Sequence, residues 1–179
     1  TGELWIATGA GLVGFRDGRT RLLDHRNGLP SRIVYAVAET DDGAIWVGTA
    51  EGAARISTDG ISTYRRESGN LPHNWVTAVV PDGDSVIVGT YDSGVARLHP
   101  AGTAEAIAGL EALWVNPHGV QRRGGRLYVS TLGDGLWVFG DGEAHRITGL
   151  PSLDVTGVAL ADGDLWVATR GGLARVPSH

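Results

Sequence analysis

The stretch LWIAT at residues 4–8 recurs along the chain in four near copies, and these five segments decide the fold. The copies read IWVGT at 45–49, VIVGT at 86–90, LYVST at 127–131 and LWVAT at 165–169. The closing threonines of successive copies are 41, 41, 41 and 38 residues apart. A period of this length indicates an architecture in which one supersecondary unit is repeated along the chain.

The residues around each copy predict further strands joined by glycine turns. A glycine and a second apolar run follow the motif, as in GVARL at 94–98, and a glycine turn such as DGD at 82–84 precedes most copies. Other β-rich runs lie before these turns, as in WVTAV at 75–79, and a weaker run such as STYR at 62–65 ends the unit. No stretch shows sustained helical periodicity. Four short antiparallel strands in each unit are typical of a propeller blade.

We therefore predict an all-β protein, a β-propeller of four-stranded antiparallel blades, with about five blades of which the first and last are incomplete. A single propeller domain spans 1–179, with repeats at roughly 1–29, 30–71, 72–110, 111–150 and 151–179. Two arrangements stay open: a compact five-bladed ring with two trimmed blades, which we favour, and an excerpt of a larger propeller. Because the chain begins at Thr1 rather than at Met, we expect a processed or excised segment.

The connectors between units carry a second recurring motif. It reads GLPS at 28–31 and at 149–152, NLPH at 70–73, and a degenerate GLEA at 109–112. After this connector motif come, in order, Val, Asp-Gly, Leu-Trp-Val-Gly-Thr and Gly-Leu. The complete pattern resembles the two-component regulator propeller repeat over nearly the whole chain. The resemblance implies a bacterial sensor-type propeller in the periplasm or outside the cell, with signalling domains further along the polypeptide. It implies no catalytic residue.

The composition excludes several function classes. The 15 cationic side chains against 20 acidic ones give a net charge of −5, so we expect no nucleic-acid partner. The chain has no Cys, and its six histidines lack metal-binding spacing, so we predict no metal site and no cofactor. No apolar run is long enough to span a bilayer, so we predict no membrane insertion within this chain.

The 28 glycines follow the turn period, so they do not indicate a phosphate-binding loop.

The connectors and the turns after the motif are expected to share one face of a propeller, where ligands usually bind. Trp beside hydrogen-bonding side chains is typical of sites for sugars and flat ligands. We therefore predict a ligand site from residues of two adjacent connectors, several turns and one inner strand: His73, Asn74, Trp75, Trp114, Asn116, His118, Tyr35, Tyr91, Asp92 and Arg170. The alternative for Trp75 and Trp114 is a core role at a strand entrance.

Counting back from the closing threonines predicts a column of equivalent inner-strand residues. Tyr35, Thr77, His118 and Thr156 lie 14, 13, 13 and 13 residues before their threonines, so we expect them to line the channel or to pack between blades. The connector from Leu110 to His118 is two residues longer than the others. The bulky aromatic residues of the motif are predicted to pack between blades: Trp5, Trp46, Tyr128 and Trp166.

Three functions are compatible with these features. The leading one is a non-enzymatic propeller that binds a small molecule, a glycan or a peptide, like the sensor propellers it resembles. The second is a lyase or hydrolase with His118 and either Arg170 or His73 at the channel mouth. The third is a structural or engineered propeller fragment. Neither a Gly-x-Ser-x-Gly elbow nor a Walker loop occurs, so catalysis lacks support from sequence motifs.

Overall fold

The chain folds almost entirely into antiparallel strands. The computed structural model describes residues 2–161 and 163–177, in which 18 strands form five sheets. The helical content of these residues is a single short 3-10 turn at His25–Asn27. Strands that are adjacent in sequence are adjacent in each sheet. The prediction of an all-β propeller is confirmed.

Each sheet is one blade, and the blades follow the chain. Blade 1 contains β1 (Leu4–Thr8), β2 (Gly11–Arg16) and β3 (Arg19–Leu23), and blade 2 contains β4 (Val34–Glu39), β5 (Ile45–Thr49), β6 (Gly52–Ser57) and β7 (Gly60–Tyr64). Blade 3 contains β8 (Val76–Asp82), β9 (Ser85–Thr90), β10 (Val95–Leu98) and β11 (Ala104–Ala106). Blade 4 contains β12 (Val115–Arg123), β13 (Arg126–Thr131), β14 (Leu136–Gly140) and β15 (Glu143–Ile147). Blade 5 contains β16 (Val155–Ala161), β17 (Asp164–Thr169) and β18 (Gly172–Pro177).

The first and last blades are each one strand short, as predicted. β1 carries the same motif as β5, which is the second strand of blade 2, so among residues 2–161 and 163–177 blade 1 has no innermost strand. Blade 5 begins with an innermost strand, β16, but the described residues contain no strand after β18. Blades 2, 3 and 4 have all four strands.

The threonine that closes each motif fastens the turn after it. Its hydroxyl donates to the carbonyl oxygen of a glycine that is either the first residue of the following strand or the residue directly before it, and this bond occurs in all five blades. The pairs are Thr8 and Gly11 (2.6 Å), Thr49 and Gly52 (2.7 Å), Thr90 and Gly94 (2.9 Å), Thr131 and Gly135 (2.7 Å), and Thr169 and Gly172 (2.8 Å). The three central threonines are fully buried, where a hydroxyl needs a partner. This requirement explains why threonine recurs at the end of the motif.

The position after the turn needs glycine for two reasons: its φ angle is positive, and a neighbouring carbonyl leaves no room for a Cβ atom. Gly94 has φ +70°, and a Cβ atom there would lie 1.9 Å from the carbonyl oxygen of Leu110 in the next connector. The nitrogen of Gly94 donates to the carbonyl of Leu113 in the same connector (3.0 Å). The turn and the following connector are therefore in direct backbone contact.

The core consists of four apolar layers, one between each pair of successive blades. Trp46 of blade 2 stacks on Tyr64 (5.1 Å between centroids) and lies in one layer with Val88 of blade 3. In blades 2 and 3 the residue before the closing threonine is glycine, because the next blade leaves no room for a side chain there. A Cβ atom on Gly89 would lie 2.7 Å from Cγ1 of Val115 in blade 4.

The two end blades of the series are not packed against each other in the part of the chain that the structure describes. Blades 1 and 5 share no more than marginal contact in the described residues. The prediction that the motif aromatics pack between blades is therefore right for Trp46 and Tyr128, which are buried, and wrong for Trp166, which is 36% exposed. Trp166 is exposed because no following blade covers blade 5 among the described residues. Trp5 is half-buried against blade 2.

Candidate functional site

One backbone hydrogen bond, repeated in four blades, places the connectors and the turns on the same face. The residue after the closing threonine donates its N–H to a carbonyl of the connector that precedes the innermost strand. The pairs are Ala50 to Ile33 (3.1 Å), Tyr91 to Trp75 (3.0 Å), Leu132 to Trp114 (2.8 Å) and Arg170 to Asp154 (3.0 Å). We call the surface formed by these connectors and turns the connector face. Trp75 and Trp114 are thus equivalent residues of neighbouring blades.

Four aromatic rings from three blades form a continuous array on the connector face. Trp75 stacks on Tyr91 with centroids 4.2 Å apart and planes at 16°. Tyr35 of blade 2 contacts Trp75 from one side (5.7 Å), and Tyr91 contacts Trp114 on the other (4.9 Å). We call Tyr35, Trp75, Tyr91 and Trp114 the aromatic ridge. The ridge runs across the middle of the molecule, from blade 2 to blade 4.

Trp114, at the blade 4 end, is the most exposed residue of the ridge. Tyr35, Trp75 and Tyr91 are half-buried, and Trp114 is 43% exposed. The indole N–H of Trp75 is buried and has no hydrogen-bond partner among the described residues, although a buried indole N–H normally finds one. The ridge therefore has an accessible aromatic face at Trp114 and an unused donor at Trp75.

His73 and Asp92 form a polar pair beside the ridge. The Nδ1 atom of His73 accepts a hydrogen bond from the backbone N–H of Trp75 (3.0 Å), which places the proton of a neutral ring on Nε2. Nε2 lies 3.6 Å from Oδ1 of Asp92, in the turn that also contains Tyr91. Connector and turn are thereby linked through side chains as well as through backbone.

Asn74 fixes its own connector. Its Oδ1 accepts from the backbone N–H of Arg66 (2.8 Å), and its Nδ2 donates to Oε1 of Glu67 (2.8 Å). The backbone N–H of Glu67 and then the Asn74 amide lower the pKa of the Glu67 carboxyl. The predicted ligand residue Asn74 therefore has both of its polar atoms engaged within the loop.

The predicted column of inner-strand residues is wrong at one position. A bulge follows the valine that pairs with the closing threonine in each of blades 2 to 5, and the residues directly after that valine are equivalent. They are Tyr35, Thr77, Asn116 and Thr156. His118 is not in this column, because the two extra residues of blade 4 lie inside the bulge of β12, after Asn116, and not in the connector before it.

The long bulge of β12 presents His118 outward. His118 has φ +56°, is exposed, and has no hydrogen-bond or ion-pair partner in the described part of the chain. Gly119 behind it is confined, because a Cβ atom there would lie 2.6 Å from the carbonyl oxygens of both Asn116 and Ser130.

Two members of the corrected column bond to the next blade. Thr77 is fully buried and donates to the carbonyl of Val115 (2.9 Å), and the Asn116 amide donates to the carbonyl of Val155 (2.5 Å). Of the two roles expected for Thr77, lining the channel or packing between blades, the structure shows the second. Asn116 likewise joins blade 4 to blade 5.

The three side chains of the lyase or hydrolase alternative are not joined. His73 is paired with Asp92, and Nε of the exposed Arg170 lies 3.7 Å from Oδ2 of Asp154. No hydrogen bond or ion pair connects either of them with His118 in the residues that the structure describes.

A polar cluster at the opposite end of blade 3 has no counterpart among the predicted residues. Oγ of Ser85 lies 2.9 Å from Nδ1 of His99, and Nε2 of His99 lies 3.4 Å from Oε1 of Glu105. The cluster joins β9, the residue directly after β10, and β11. Sequence spacing gave no signal for it, because strand pairing alone brings the three residues together.

The fold and the connector face define the class of this protein as a β-propeller with an aromatic face. Residues 28–51 match the two component regulator propeller family, which confirms the resemblance seen in the connector and motif. A search of curated proteins finds no significant match to this chain. No helix in the described residues is long and apolar enough to cross a membrane.

Solved structures with the same fold include extracellular domains of putative bacterial two component systems. The extracellular domain of the putative hybrid two component system BT4673 from B. thetaiotaomicron is 20% identical with a TM-score of 0.79, over 97% of this chain and 26% of that one. For BT3049 from the same organism the values are 22%, 0.75, 97% and 27%. Virginiamycin B lyase from Staphylococcus aureus is 16% identical with a TM-score of 0.69, over 98% and 66% of the two chains.

The chain thus spans about a quarter of the length of the two extracellular domains. Identities of this size show a shared propeller fold.

Proposed function

We propose that this protein is a recognition propeller that binds a ligand with a flat face, a glycan or an aromatic-bearing peptide or small molecule, on the aromatic ridge. The observation that carries the proposal is the continuous array from Tyr35 to Trp114, built from three blades and ending in an accessible indole. Aromatic side chains in such arrays supply large apolar contact area with few rotatable bonds.

The ridge is pre-organised for this role. Trp75 is held between Tyr35 and Tyr91, so little rotational freedom remains to be lost on binding. The Nε2–H of His73 and the carboxylate of Asp92 provide a donor and an acceptor beside the rings. Aromatic contact combined with a few directional polar groups is the usual composition of a binding site for sugars and small molecules.

We further propose that the ligand is sensed outside the cytoplasm. The family match at residues 28–51 and the two extracellular domains of similar fold support a place in the periplasm or outside the cell, with signalling domains as the partners of the propeller. Catalysis by His118 with Arg170 or His73 has no supporting contact, and a structural or engineered fragment does not explain why the aromatics converge.

Binding to glycan and peptide arrays tests the proposal, with the wild-type chain compared with Trp114→Ala. Trp166→Ala is the matched control, because Trp166 is also a partly exposed indole (36% against 43%) but lies on blade 5, outside the ridge. We expect binding that falls at least about tenfold in Trp114→Ala and is unchanged in Trp166→Ala. Wild-type binding that survives Trp114→Ala, or that depends on Trp166, contradicts the proposed site.

A further inference from the structure

Two turns with one acidic residue each lie beside Trp114, the accessible end of the aromatic ridge. The turn of blade 3 contains Tyr91, whose ring contacts that of Trp114 (4.9 Å between centroids), and Asp92 directly after it. In blade 4 the N–H of Leu132 donates to the carbonyl of Trp114 (2.8 Å), and Asp134 follows two residues later in the same turn. Blades 3 and 4 each have four strands and a packed neighbour on both sides, so this arrangement belongs to the interior of the series.

Neither acidic side chain is paired with an arginine. Oδ1 of Asp92 accepts from the Ser93 hydroxyl (2.9 Å) and lies 3.6 Å from Nε2 of His73, and Oδ2 has no partner among the described residues. The backbone N–H of Asp134 donates to the Thr131 hydroxyl (3.1 Å), but its carboxylate has no hydrogen-bond or ion-pair partner in the described part of the chain. The sequence contains no lysine that could reach either group. Carboxylate oxygens are therefore available beside an accessible indole.

Blade 1 shows what this chain places against an indole and a carboxylate. The guanidinium carbon of Arg21 lies 4.6 Å from the ring centroid of Trp5, and its Nε and Nη2 atoms donate to the two carboxylate oxygens of Glu3 (2.8 Å each). Both the aromatic face and the carboxylate attract this cation. At the ridge the chain provides the same two attracting groups, but no cationic side chain of the described residues lies over the ring of Trp114.

We propose, on the basis of the proposed function, that the ligand of the aromatic ridge carries an ammonium group, which lies on the exposed ring of Trp114 with Asp92 and Asp134 beside it. A cation within about 6 Å of an indole centroid is attracted by the negative face of the ring. The two carboxylates favour a cationic ligand over a neutral or anionic one of the same shape. The net charge of −5 attracts such a ligand over longer distances as well.

Three probes of one shape and different charge test this proposal. They are choline, the neutral alcohol in which a carbon atom replaces its nitrogen, and the carboxylate with the same branched carbon skeleton. Each is titrated into the 15N-labelled chain, and the indole N–H signal of Trp114 is followed. We expect choline to bind at least about fivefold more tightly than the alcohol, and the carboxylate to bind more weakly than both. Equal affinities of choline and the alcohol, or tighter binding of the carboxylate, overturn the proposal.

The ammonium group can belong to an alkylammonium compound or to an amino sugar, and glucosamine and glucose distinguish these sources. Glucosamine that binds at least about fivefold more tightly than glucose supports an amino sugar. Glucosamine that binds no better than glucose, while choline retains its advantage over the alcohol, supports an alkylammonium ligand. In either case added salt should weaken binding of the cationic probe, because it screens the attraction to the carboxylates.

Two variants remove the carboxylate charges with little change of shape. We expect Asp92→Asn and Asp134→Asn each to weaken choline binding at least about threefold and to leave binding of the neutral alcohol unchanged. Asp59→Asn is the matched control, since Asp59 is exposed in the turn between β6 and β7 and its carboxylate also has no partner in the described residues. It should bind choline like the wild type. Choline binding that is unchanged when both Asp92 and Asp134 are replaced overturns the proposal.

Neutral probes separate this proposal from the proposed function. Neutral sugars or peptides that shift Trp114 as strongly as their cationic counterparts leave the ridge as a binding surface and overturn only its preference for a cation. If no probe of any charge shifts Trp114, both proposals are overturned.

Discussion

Single residues of the motif are set by contacts that recur from blade to blade. The closing threonine is needed because its hydroxyl bonds a carbonyl oxygen in the turn, and in blades 2 to 4 this bond is buried. A buried donor or acceptor that loses its partner retains the full penalty of desolvation. Threonine and valine have similar shapes, so exchanging them isolates the hydroxyl.

Thr90→Val should lower the free energy of unfolding by about 0.5–1.5 kcal/mol, because the buried carbonyl of Gly94 loses the hydroxyl donor and keeps only the backbone N–H of Thr90 (2.9 Å). Urea denaturation measures the effect. Thr169→Val removes the same bond at an exposed site, where water replaces the lost donor, so its effect should be clearly smaller. Equal effects of the two substitutions would contradict this account of the motif.

Asp42 makes one turn of blade 2 sensitive to acid. Hydrogen bonds from the Thr40 hydroxyl (2.6 Å), the Arg55 guanidinium (2.5 Å) and the Ala44 N–H (3.1 Å) lower the pKa of its carboxyl to about 2, against the opposing effect of burial. A carboxyl whose pKa is lower in the folded than in the unfolded state stabilises the fold above its unfolded pKa of 3.8. That contribution is lost as the pH falls from there towards about 2.

Asp42→Asn should accordingly destabilise the protein at neutral pH and flatten the fall of stability between about pH 4 and pH 2. Urea unfolding of both proteins over this pH range measures the difference. Thr40→Val, which removes the first hydrogen bond, should produce a partial effect in the same direction. A variant with the same acid sensitivity as the wild type would show that this turn does not couple to pH.

Strands and bulges are the scale at which sequence and structure partly diverge. The strand order follows from the sequence because the turns between strands require glycine and threonine at fixed positions. The sequence does not predict which residue of blade 4 is equivalent to Tyr35. Counting residues shows only that two extra residues lie somewhere between Leu110 and Thr131. Strand pairing is what locates them inside the bulge of β12 and puts Asn116 in the column.

Gly119 is the residue on which the long bulge depends. Gly119→Ala should destabilise the protein by roughly 1–3 kcal/mol, because the new Cβ would approach two carbonyl oxygens at 2.6 Å. Gly157→Ala is the control, since a Cβ atom at that position in the bulge of blade 5 has nothing within 4 Å. Thermal melts of both variants give the comparison. An unchanged melting temperature of Gly119→Ala would contradict this expectation, because it would mean that the bulge accepts the methyl group without losing stability.

At the scale of the whole molecule, the aromatic ridge lies away from the exposed apolar residues of blades 1 and 5. The ridge crosses blades 2 to 4, where every blade is covered on both sides. The sequence predicts which aromatic residues reach the connector face. It does not predict that Tyr35 of one blade contacts Trp75 of the next, nor that Leu4 and Leu173 are exposed, because both depend on how blades pack.

The claim that the aromatic ridge is the binding surface is tested most directly by the indole N–H signals of the six tryptophans in a 15N-labelled sample. The probes are a panel of oligosaccharides and of tyrosine-containing peptides, titrated one at a time. We expect the signals of Trp75 and Trp114 to shift together and to saturate with a bound probe, while those of Trp137 and Trp166 stay in place. A probe that binds and shifts only Trp137 or Trp166, or a panel that leaves Trp75 and Trp114 unmoved, would contradict the account.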